Sequence, residues 1–204
     1  MKRGASRLWT VVREELGPLH PRLLFVNLLV RLLPQLAFQR LRTALYRAAG
    51  IAIGPHTLVA GTLHPIGPGC ITSRLTIGAN CYINAPTFLD LTAPIAIGDG
   101  VGVGHHTVFI TEGHTKGPPT KRLGESDPQP IIVHAGAWIG AEVTLLPGAI
   151  VGAGSVIGAG SLVVGEIPAN VVAVGRPAKV VRALTARERR PDTGARVTAF
   201  HTLQ

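Results

Sequence analysis

The sequence predicts an all-β main domain, built as a parallel β-helix of six-residue repeats and preceded by an α-helical segment. Three observations indicate this fold. Aliphatic residues recur at every sixth position through much of the chain after residue 50. Aromatic residues make up only 4% of the chain although 46% of it is hydrophobic, so a core must be built mainly from Val, Ile, Leu and Ala. Before residue 50, apolar residues follow a helical spacing instead.

Residues 1–50 are predicted to be helical. Pro21 suits the first turn of a helix, and Pro34 should end or kink it. The apolar run 23–38 is shorter than a bilayer span and contains polar residues, so it is not expected to cross a membrane. Two interpretations stay open for it. It packs against the main body or a sister subunit, or it makes peripheral membrane contact through residues 21–38.

Positive charge is concentrated at the two ends of the chain. Residues 1–50 carry nine Lys and Arg against two Glu, residues 51–180 carry six against seven acidic residues, and the remainder carries five against two. A basic end suits an anionic membrane surface or the phosphates of CoA. Because the central body is near neutral and no nucleic-acid-binding motif occurs, no nucleic acid partner is expected. No clear signal peptide is present, so a cytoplasmic location is predicted, with a peripheral position on the inner membrane face left open.

The six-residue period predicts which residues form the core. Neither a helix nor an alternating strand has this period, whereas three short strands joined by tight turns make one triangular coil of a β-helix. One aliphatic residue of each repeat should point into the coil. The residues predicted to do so are Ile71, Ile77, Ile83, Leu89, Ile97, Val103, Phe109, Val133, Ile139, Leu145, Val151, Ile157 and Val163.

A polar stretch at residues 111–131 interrupts the repeat. It is rich in charge, Pro and Gly, and the period resumes at Val133. A long excursion from a rigid solenoid is uncommon without a use, because functional residues often lie on such loops. We therefore expect functional residues in this loop.

Three blocks of the chain resemble the hexapeptide-repeat acetyltransferases, in particular the maltose, galactoside and nodulation-type O-acetyltransferases. They are INAPTFLDLTAPIAIGDGVGVGHHTVFITEGH, GAWIGAEVTLLPGAIVGAGSVIGAGSLVV and the terminator EIPANVVAVGRPAKVVR. The resemblance covers residues 77–182. It implies a left-handed β-helix, a homotrimer with active sites between subunits, acetyl-CoA as co-substrate and no metal. The resulting organisation is a helical segment (1–50), an acyltransferase β-helix domain (51–182) and a C-terminal tail (183–204).

The same resemblance assigns the site residues. His114 matches the catalytic histidine of the family, and Asn84 and Asp90 match residues that hold the acceptor sugar. The positions that match the acetyl-CoA path are Trp138, Ala141, Ala159, Val164, Gly165, Lys179 and Arg182. Relatives commonly have Thr-Lys where this chain has Val164-Gly165. A hydroxyl and a cation are thus lost there, and contacts to CoA through the backbone are expected.

These residues suit the transfer of an acetyl group from a thioester to a hydroxyl. A sugar hydroxyl is a poor nucleophile, and an imidazole that titrates near neutrality is well suited to take its proton. Neutral His114 is therefore the predicted general base, a role that contributes roughly 10²–10⁴-fold to such reactions. No Ser or Cys lies in a recognisable nucleophile setting, so direct transfer is expected. The predicted acceptor is a small-molecule sugar or a glycoconjugate, as in polysaccharide biosynthesis.

Other interpretations stay open at this point. A non-enzymatic β-helix scaffold needs none of these roles. A zinc enzyme of the γ-carbonic-anhydrase type uses the same fold but needs three histidines on one metal, and His105, His106, His114 and His134 are the candidates. An amine acceptor in place of a hydroxyl needs less help from a base. Asp90 has a purely structural alternative, because it would also suit the cap of a turn.

Overall fold

The computed structural model of the chain describes residues 19–34, 36–185 and 187–188. Among these residues two helices come first, α1 (Pro21–Arg31) and α2 (Gln39–Ala48). Pro21 stands in the first turn of α1, and the helix ends three residues before Pro34, as the sequence predicts. Neither helix has the length and continuous hydropathy that a bilayer crossing requires. The predicted helical residues before 19 and the predicted tail from 189 lie outside the described residues.

The strands that follow wind into a parallel β-solenoid of six stacked coils. The first five coils visit three faces in turn, and the sixth has strands on the first two faces only. Face A contains β1 (Ala52–Ile53), β4 (Leu75–Ile77), β7 (Ile95–Ile97), β12 (Ile131–Val133), β15 (Ile150–Val151) and β18 (Glu166–Ile167). Face B contains β2 (Leu58–Val59), β5 (Tyr82–Ile83), β8 (Gly102–Val103), β13 (Trp138–Ile139), β16 (Val156–Ile157) and β19 (Val171–Gly175). Face C contains β3 (Leu63–Ile66), β6 (Thr87–Asp90), β9 (Thr107–Phe109), β14 (Thr144–Leu145) and β17 (Leu162–Val163).

The core lies inside this triangular prism. All the residues predicted to point inward are buried, with exposed fractions of 4% or less. Equivalent residues of successive coils stack because neighbouring strands pair in register, as Ile139 does with Ile157 and Leu145 with Val163. The six-residue prediction of the core is therefore confirmed.

Different elements cover the two ends of the prism. At the N-terminal end, the buried Tyr46 hydroxyl donates to Asn27 Oδ1 at 2.8 Å and accepts from the Leu63 backbone N–H at 2.8 Å. The buried Arg42 guanidinium donates to four backbone carbonyls, those of Leu33, Pro34, Ala37 and Ala60. At the C-terminal end, β20 (Ala178–Ala183) turns back and pairs antiparallel with β19.

The excursion predicted at residues 111–131 contains a β-hairpin. Its strands are β10 (His114–Lys116) and β11 (Leu123–Ser126), which pair antiparallel. The Thr115 hydroxyl reinforces the hairpin by accepting from the Glu125 backbone N–H at 3.0 Å. The hairpin leaves the solenoid after face C of the third coil and returns at face A of the fourth.

Candidate active site

Asp90 fixes the point at which the excursion leaves the solenoid. Its Oδ2 accepts from the backbone N–H groups of Thr111 at 3.1 Å and Glu112 at 2.7 Å. Its Oδ1 accepts from the backbone N–H of Thr92 at 3.0 Å and from the Thr92 hydroxyl at 2.7 Å. The carboxylate is buried and both of its oxygens are occupied within the chain. This arrangement favours a positioning role for Asp90 over direct contact with an acceptor.

His114 begins the first strand of the hairpin and is exposed to solvent. Its Nε2 lies 3.6 Å from Glu112 Oε1, and the side chains are 37% and 27% exposed. The Ser126 hydroxyl on the opposite strand donates to the same Glu112 oxygen at 2.7 Å. The Asp127 backbone N–H donates to the Gly113 carbonyl at 2.8 Å and closes the base of the hairpin. The imidazole is thus accessible, and an oriented carboxylate lies beside one of its nitrogens.

Asn84 lies at the corner between faces B and C of the second coil. Its Oδ1 accepts from the Ala85 backbone N–H at 2.9 Å, and its amide nitrogen has no hydrogen-bond partner within the described part of the chain. The residues that stack above it in successive coils are glycines, Gly104, Gly140 and Gly158. At the same corner, Ala141 and Ala159 each come one residue later than these glycines. The Trp138 side chain, on face B next to this column, is 51% exposed. These small residues form a strip along the corner that is open to solvent and bordered by the Trp138 ring.

The last two coils carry the remaining predicted site residues. Val164 is exposed, and Gly165 has a φ of +73° with no atom within 4 Å of the point where a β-carbon would lie, so the backbone at this corner is accessible. Lys179 and Arg182 are exposed on β20. Arg182 forms two hydrogen bonds to Glu188, at 2.9 and 3.1 Å. Hydrogen bonds from Arg182 and Thr185 hold the pKa of the Glu188 carboxyl at about 2, far below its ordinary value.

The predicted site residues fall on two opposite edges of face C. Asn84, Ala141 and Ala159 lie on the edge that face C shares with face B. Asp90, the base of the His114 hairpin and Val164-Gly165 lie on the edge shared with face A, and Gly113 approaches Pro147 there. The four residues of β6 lie between the Asn84 corner and the Asp90 corner, and they alone span about 10 Å. One chain therefore brings together two partial sets, and it does not bring Asn84 to His114.

The comparisons with known proteins agree with the solenoid. The family model for the bacterial transferase hexapeptide (six repeats) matches residues 130–165. Galactoside O-acetyltransferase of Escherichia coli K12 is 36% identical over 117 residues, which are 57% of this chain and 58% of that protein. The structure of a hexapeptide-repeat acetyltransferase of Vibrio cholerae complexed with acetyl coenzyme A is 26% identical, covers 81% of this chain and 87% of that one, and superposes with a TM-score of 0.70. A maltose O-acetyltransferase of Clostridium difficile is 25% identical, with 80% and 84% covered and a TM-score of 0.69.

This chain matches the hexapeptide-repeat acetyltransferase family in sequence and in fold. Its solenoid matches the left-handed β-helix of those acetyltransferases, which confirms the predicted fold class. The chain spans about half to three-fifths of the length of the curated hexapeptide-repeat relatives that it matches first.

Two residues of the excursion lie beside His114 or its neighbour but were not among the site residues predicted from the sequence. They are Glu112, beside the His114 ring, and Ser126, which holds the Glu112 carboxylate. The Glu-x-His spacing was a usable signal for the first, because residues two apart in extended chain point to the same side. Ser126 had no such signal, since the pairing that brings it to Glu112 crosses a turn rich in Pro and Gly.

The histidines that a zinc enzyme on this fold would use lie at different corners of the prism. His105 and His106 follow face B, His114 follows face C and His134 follows face A. No group of three or more His, Cys, Asp or Glu side chains able to hold a metal ion occurs within residues 19–34, 36–185 and 187–188.

Proposed function

We propose that this protein is an acetyl-CoA-dependent O-acetyltransferase that acetylates a hydroxyl of a sugar or glycoconjugate. The observation that carries the proposal is the exposed His114 ring, which lies 3.6 Å from the Glu112 carboxylate on a hairpin that Asp90 anchors to the solenoid. The relatives support the donor and the reaction, since one structure is complexed with acetyl coenzyme A and a curated relative is a galactoside O-acetyltransferase. In this proposal residues 51–182 form the catalytic unit.

His114 is the general base in the proposed reaction. It takes the proton of the acceptor hydroxyl as that oxygen attacks the thioester carbonyl carbon. The new C–O bond forms and the C–S bond breaks, and the protonated ring returns the proton to the CoA thiolate. Glu112 acts by orienting the ring and stabilising its charged form. Asn84 contributes a free amide N–H₂ group that is suited to hold an acceptor oxygen.

The strip beside Trp138 is the proposed path for acetyl-CoA. Ala141 and Ala159 leave room for an extended pantetheine chain. The accessible backbone at Val164 and Gly165 lies on the other edge of face C, so it would offer hydrogen-bonding groups from a neighbouring subunit. Exposed cations follow at the end of the solenoid, where Lys179 and Arg182 suit the phosphates of CoA. Contacts at Val164-Gly165 would be backbone contacts, because the side chains there are apolar or absent.

We also propose a homotrimer in which each active site combines the two edges of face C from neighbouring subunits. The His114 edge of one subunit then faces the Asn84 edge of the next, which joins two sets that lie on opposite edges of face C in one chain. The outward side chains of face C support this arrangement because they are largely apolar, and Ile66 and Phe88 are exposed. Burying this face between subunits removes apolar surface from water.

Activity is tested by thiol release from acetyl-CoA with a panel of glycosides. His114→Ala should reduce acceptor-dependent release by at least about 10²-fold. His134→Ala is the matched control, because it removes an exposed histidine from another corner of the prism, and it should retain activity. Equal release by wild type and His114→Ala would remove His114 from the mechanism. A chain that binds no acetyl-CoA and releases no thiol would favour the scaffold interpretation.

The shared site is tested by mixing two inactive variants. In trimers assembled from Asn84→Ala and His114→Ala chains, about one interface in four joins two intact edges, so about a quarter of wild-type activity should return. Each variant alone should stay inactive. If both residues act within one chain, mixing restores nothing. A fully active monomer in sedimentation would also contradict the trimer.

The proposed location is the cytoplasm, with peripheral contact at the inner membrane face through residues 21–38. Two features support the contact: apolar side chains on the outer surface of α1, and the positive charge of the surrounding segment. Separation of cell lysate into membrane and soluble fractions, with a wash in high salt, tests it. Retention in the soluble fraction at every salt concentration would contradict the peripheral contact.

A further inference from the structure

Helix α1 has two apolar surfaces, and only one of them is used by the fold. Leu23, Val26 and Val30 are buried against the solenoid core. On the opposite side, Leu24 and Phe25 are each 61% exposed, Leu28 is 58% exposed and Leu32 is 76% exposed. The exposed surface continues past the helix through Leu36 and Phe38. We name Leu24, Phe25, Leu28, Leu32, Leu36 and Phe38 the basal patch.

Positive charges border the basal patch, and no negative charge occurs among residues 19–48. At 3.6 residues per turn, Arg31 and Arg22 project from the two margins of the exposed stripe of α1, and both are exposed. Arginines at such margins reach toward a polar surface while their stems lie on apolar material. An apolar stripe between cations matches the interface of an anionic bilayer. A second copy matches less well, because it would bring the same arginines together with no carboxylate between them.

The basal patch lies at the end of the prism that is nearest to the proposed acceptor residues. Leu36 donates its backbone N–H to the Ala60 carbonyl of the first coil, so this segment lies directly against the bottom coil. Asn84 and Asp90 are in the second coil, and His114 follows the third. At one strand spacing per coil, these coils lie only about 5 and 10 Å above the first.

The proposed CoA residues lie at increasing distances from the basal patch. Trp138 and Ala141 belong to the fourth coil and Ala159 to the fifth, while Lys179 and Arg182 lie on β20 beyond them. In the proposed trimer, the cleft of each active site runs between the face C edges of two neighbouring subunits. Along this cleft, the order from the base upward is therefore the acceptor residues, His114 and the CoA residues. An acceptor that enters from the base approaches from the surface against which the basal patch would rest.

We infer that the acceptor is a sugar carried on a membrane lipid, and that the basal patch docks the acceptor end of the cleft on an anionic bilayer. This inference rests on the proposed acetyl transfer. It names the substrate class for the same site, a glycolipid presented at the bilayer surface. In the proposed trimer the three basal patches lie at the same end of the parallel prisms, so all three contact one membrane at once.

Docking is tested by cosedimentation of the full chain with vesicles of phosphatidylcholine, with and without phosphatidylglycerol. Wild type should bind the anionic vesicles and should bind the neutral ones more weakly. Leu28→Glu should weaken binding by about tenfold or more, because it places a carboxylate in the apolar interface. Leu123→Glu is the matched control: Leu123 is 60% exposed, close to the 58% of Leu28, but it lies on the hairpin. It should bind as wild type. Equal binding of both variants, or no binding by wild type, overturns the inference.

The substrate class is tested by thiol release with one sugar in two forms, a methyl galactoside in solution and a long-chain alkyl galactoside in the anionic vesicles. The vesicle-borne sugar should have a kcat/KM at least about tenfold higher, and Leu28→Glu should abolish that preference. Equal rates on both forms overturn the lipid-borne acceptor and leave the proposed acetyl transfer standing. Absence of release with both, repeated with glucosides and N-acetylglucosaminides, counts against the acetyl transfer itself.

Discussion

Replacing Asp90 with Asn should loosen the attachment of the catalytic hairpin. An amide has one acceptor oxygen in place of two. If that oxygen serves the backbone N–H groups of Thr111 and Glu112, the new NH₂ group faces Thr92. The Thr92 hydroxyl can rotate to accept from it, but the Thr92 backbone N–H loses its partner, and the remaining bonds lose the negative charge. At about 1.5–3 kcal/mol for a bond to a charged group, the free energy of unfolding should fall by roughly 2–4 kcal/mol.

Urea unfolding at fixed protein concentration measures this loss, and steady-state kinetics locate its effect. If Asp90 positions the hairpin, Asp90→Asn should lower kcat about tenfold with little change in the KM for the acceptor. Asp99→Asn is the control. Asp99 Oδ1 accepts a single bond from the Ala79 backbone N–H at 2.7 Å, which an amide oxygen can replace. Unchanged stability of Asp90→Asn together with a raised acceptor KM would refute the positioning role and favour direct contact with the acceptor.

Three further changes have expected outcomes. Burial raises the pKa of Tyr46 to about 12 from an ordinary 10.0. The folded chain thus keeps this proton where the unfolded chain loses it, and stability should fall as the pH rises from 10 toward 12. In pH-dependent urea unfolding, Tyr46→Phe should abolish that fall but cost about 1–3 kcal/mol at neutral pH, because the Leu63 N–H loses its acceptor. Glu188→Gln should release Arg182 and tighten acetyl-CoA binding about two- to fivefold by calorimetry; unchanged binding would separate Arg182 from CoA. Gly104→Ala should cost roughly 1–3 kcal/mol in the same unfolding assay, because its β-carbon would lie 2.4 Å from a backbone nitrogen of the coil above; an undiminished midpoint would contradict that contact.

Much of the solenoid could be predicted because its structure repeats with the sequence. Each aliphatic hexad position is a core position, and counting hexads in threes even assigns each to a face. That count places Asn84 after face B and the His114 excursion after face C. The separation of the two residues could therefore have been predicted from the sequence. The order of faces survives the eight-residue step between Leu89 and Ile97, because the extra residues form a corner loop at Asp90.

The parts that escaped prediction depend on contacts between residues distant in sequence. Asp90 positions the hairpin by accepting from backbone N–H groups that are 21 and 22 residues away, and no local sequence pattern predicts these hydrogen bonds. The hairpin strands β10 and β11 are polar and exposed, so they lack the apolar alternation by which strands are predicted. At the helical segment, the turn into α2 requires a left-handed backbone at Phe38, a residue type that rarely adopts it.

The reversal of β20 determines where the solenoid stops. Each coil offers the N–H and C=O groups of its strands to the coil above, so an open last coil is a template for strands of other molecules. On face B, β20 occupies that template by running against β19, and a reversed strand does not start another parallel coil. At the opposite end, the two helices cover the first coil. A hexapeptide repeat has no intrinsic end, so β20 and the helices limit the solenoid to one length. They also prevent solenoids of different molecules from joining end to end into fibres.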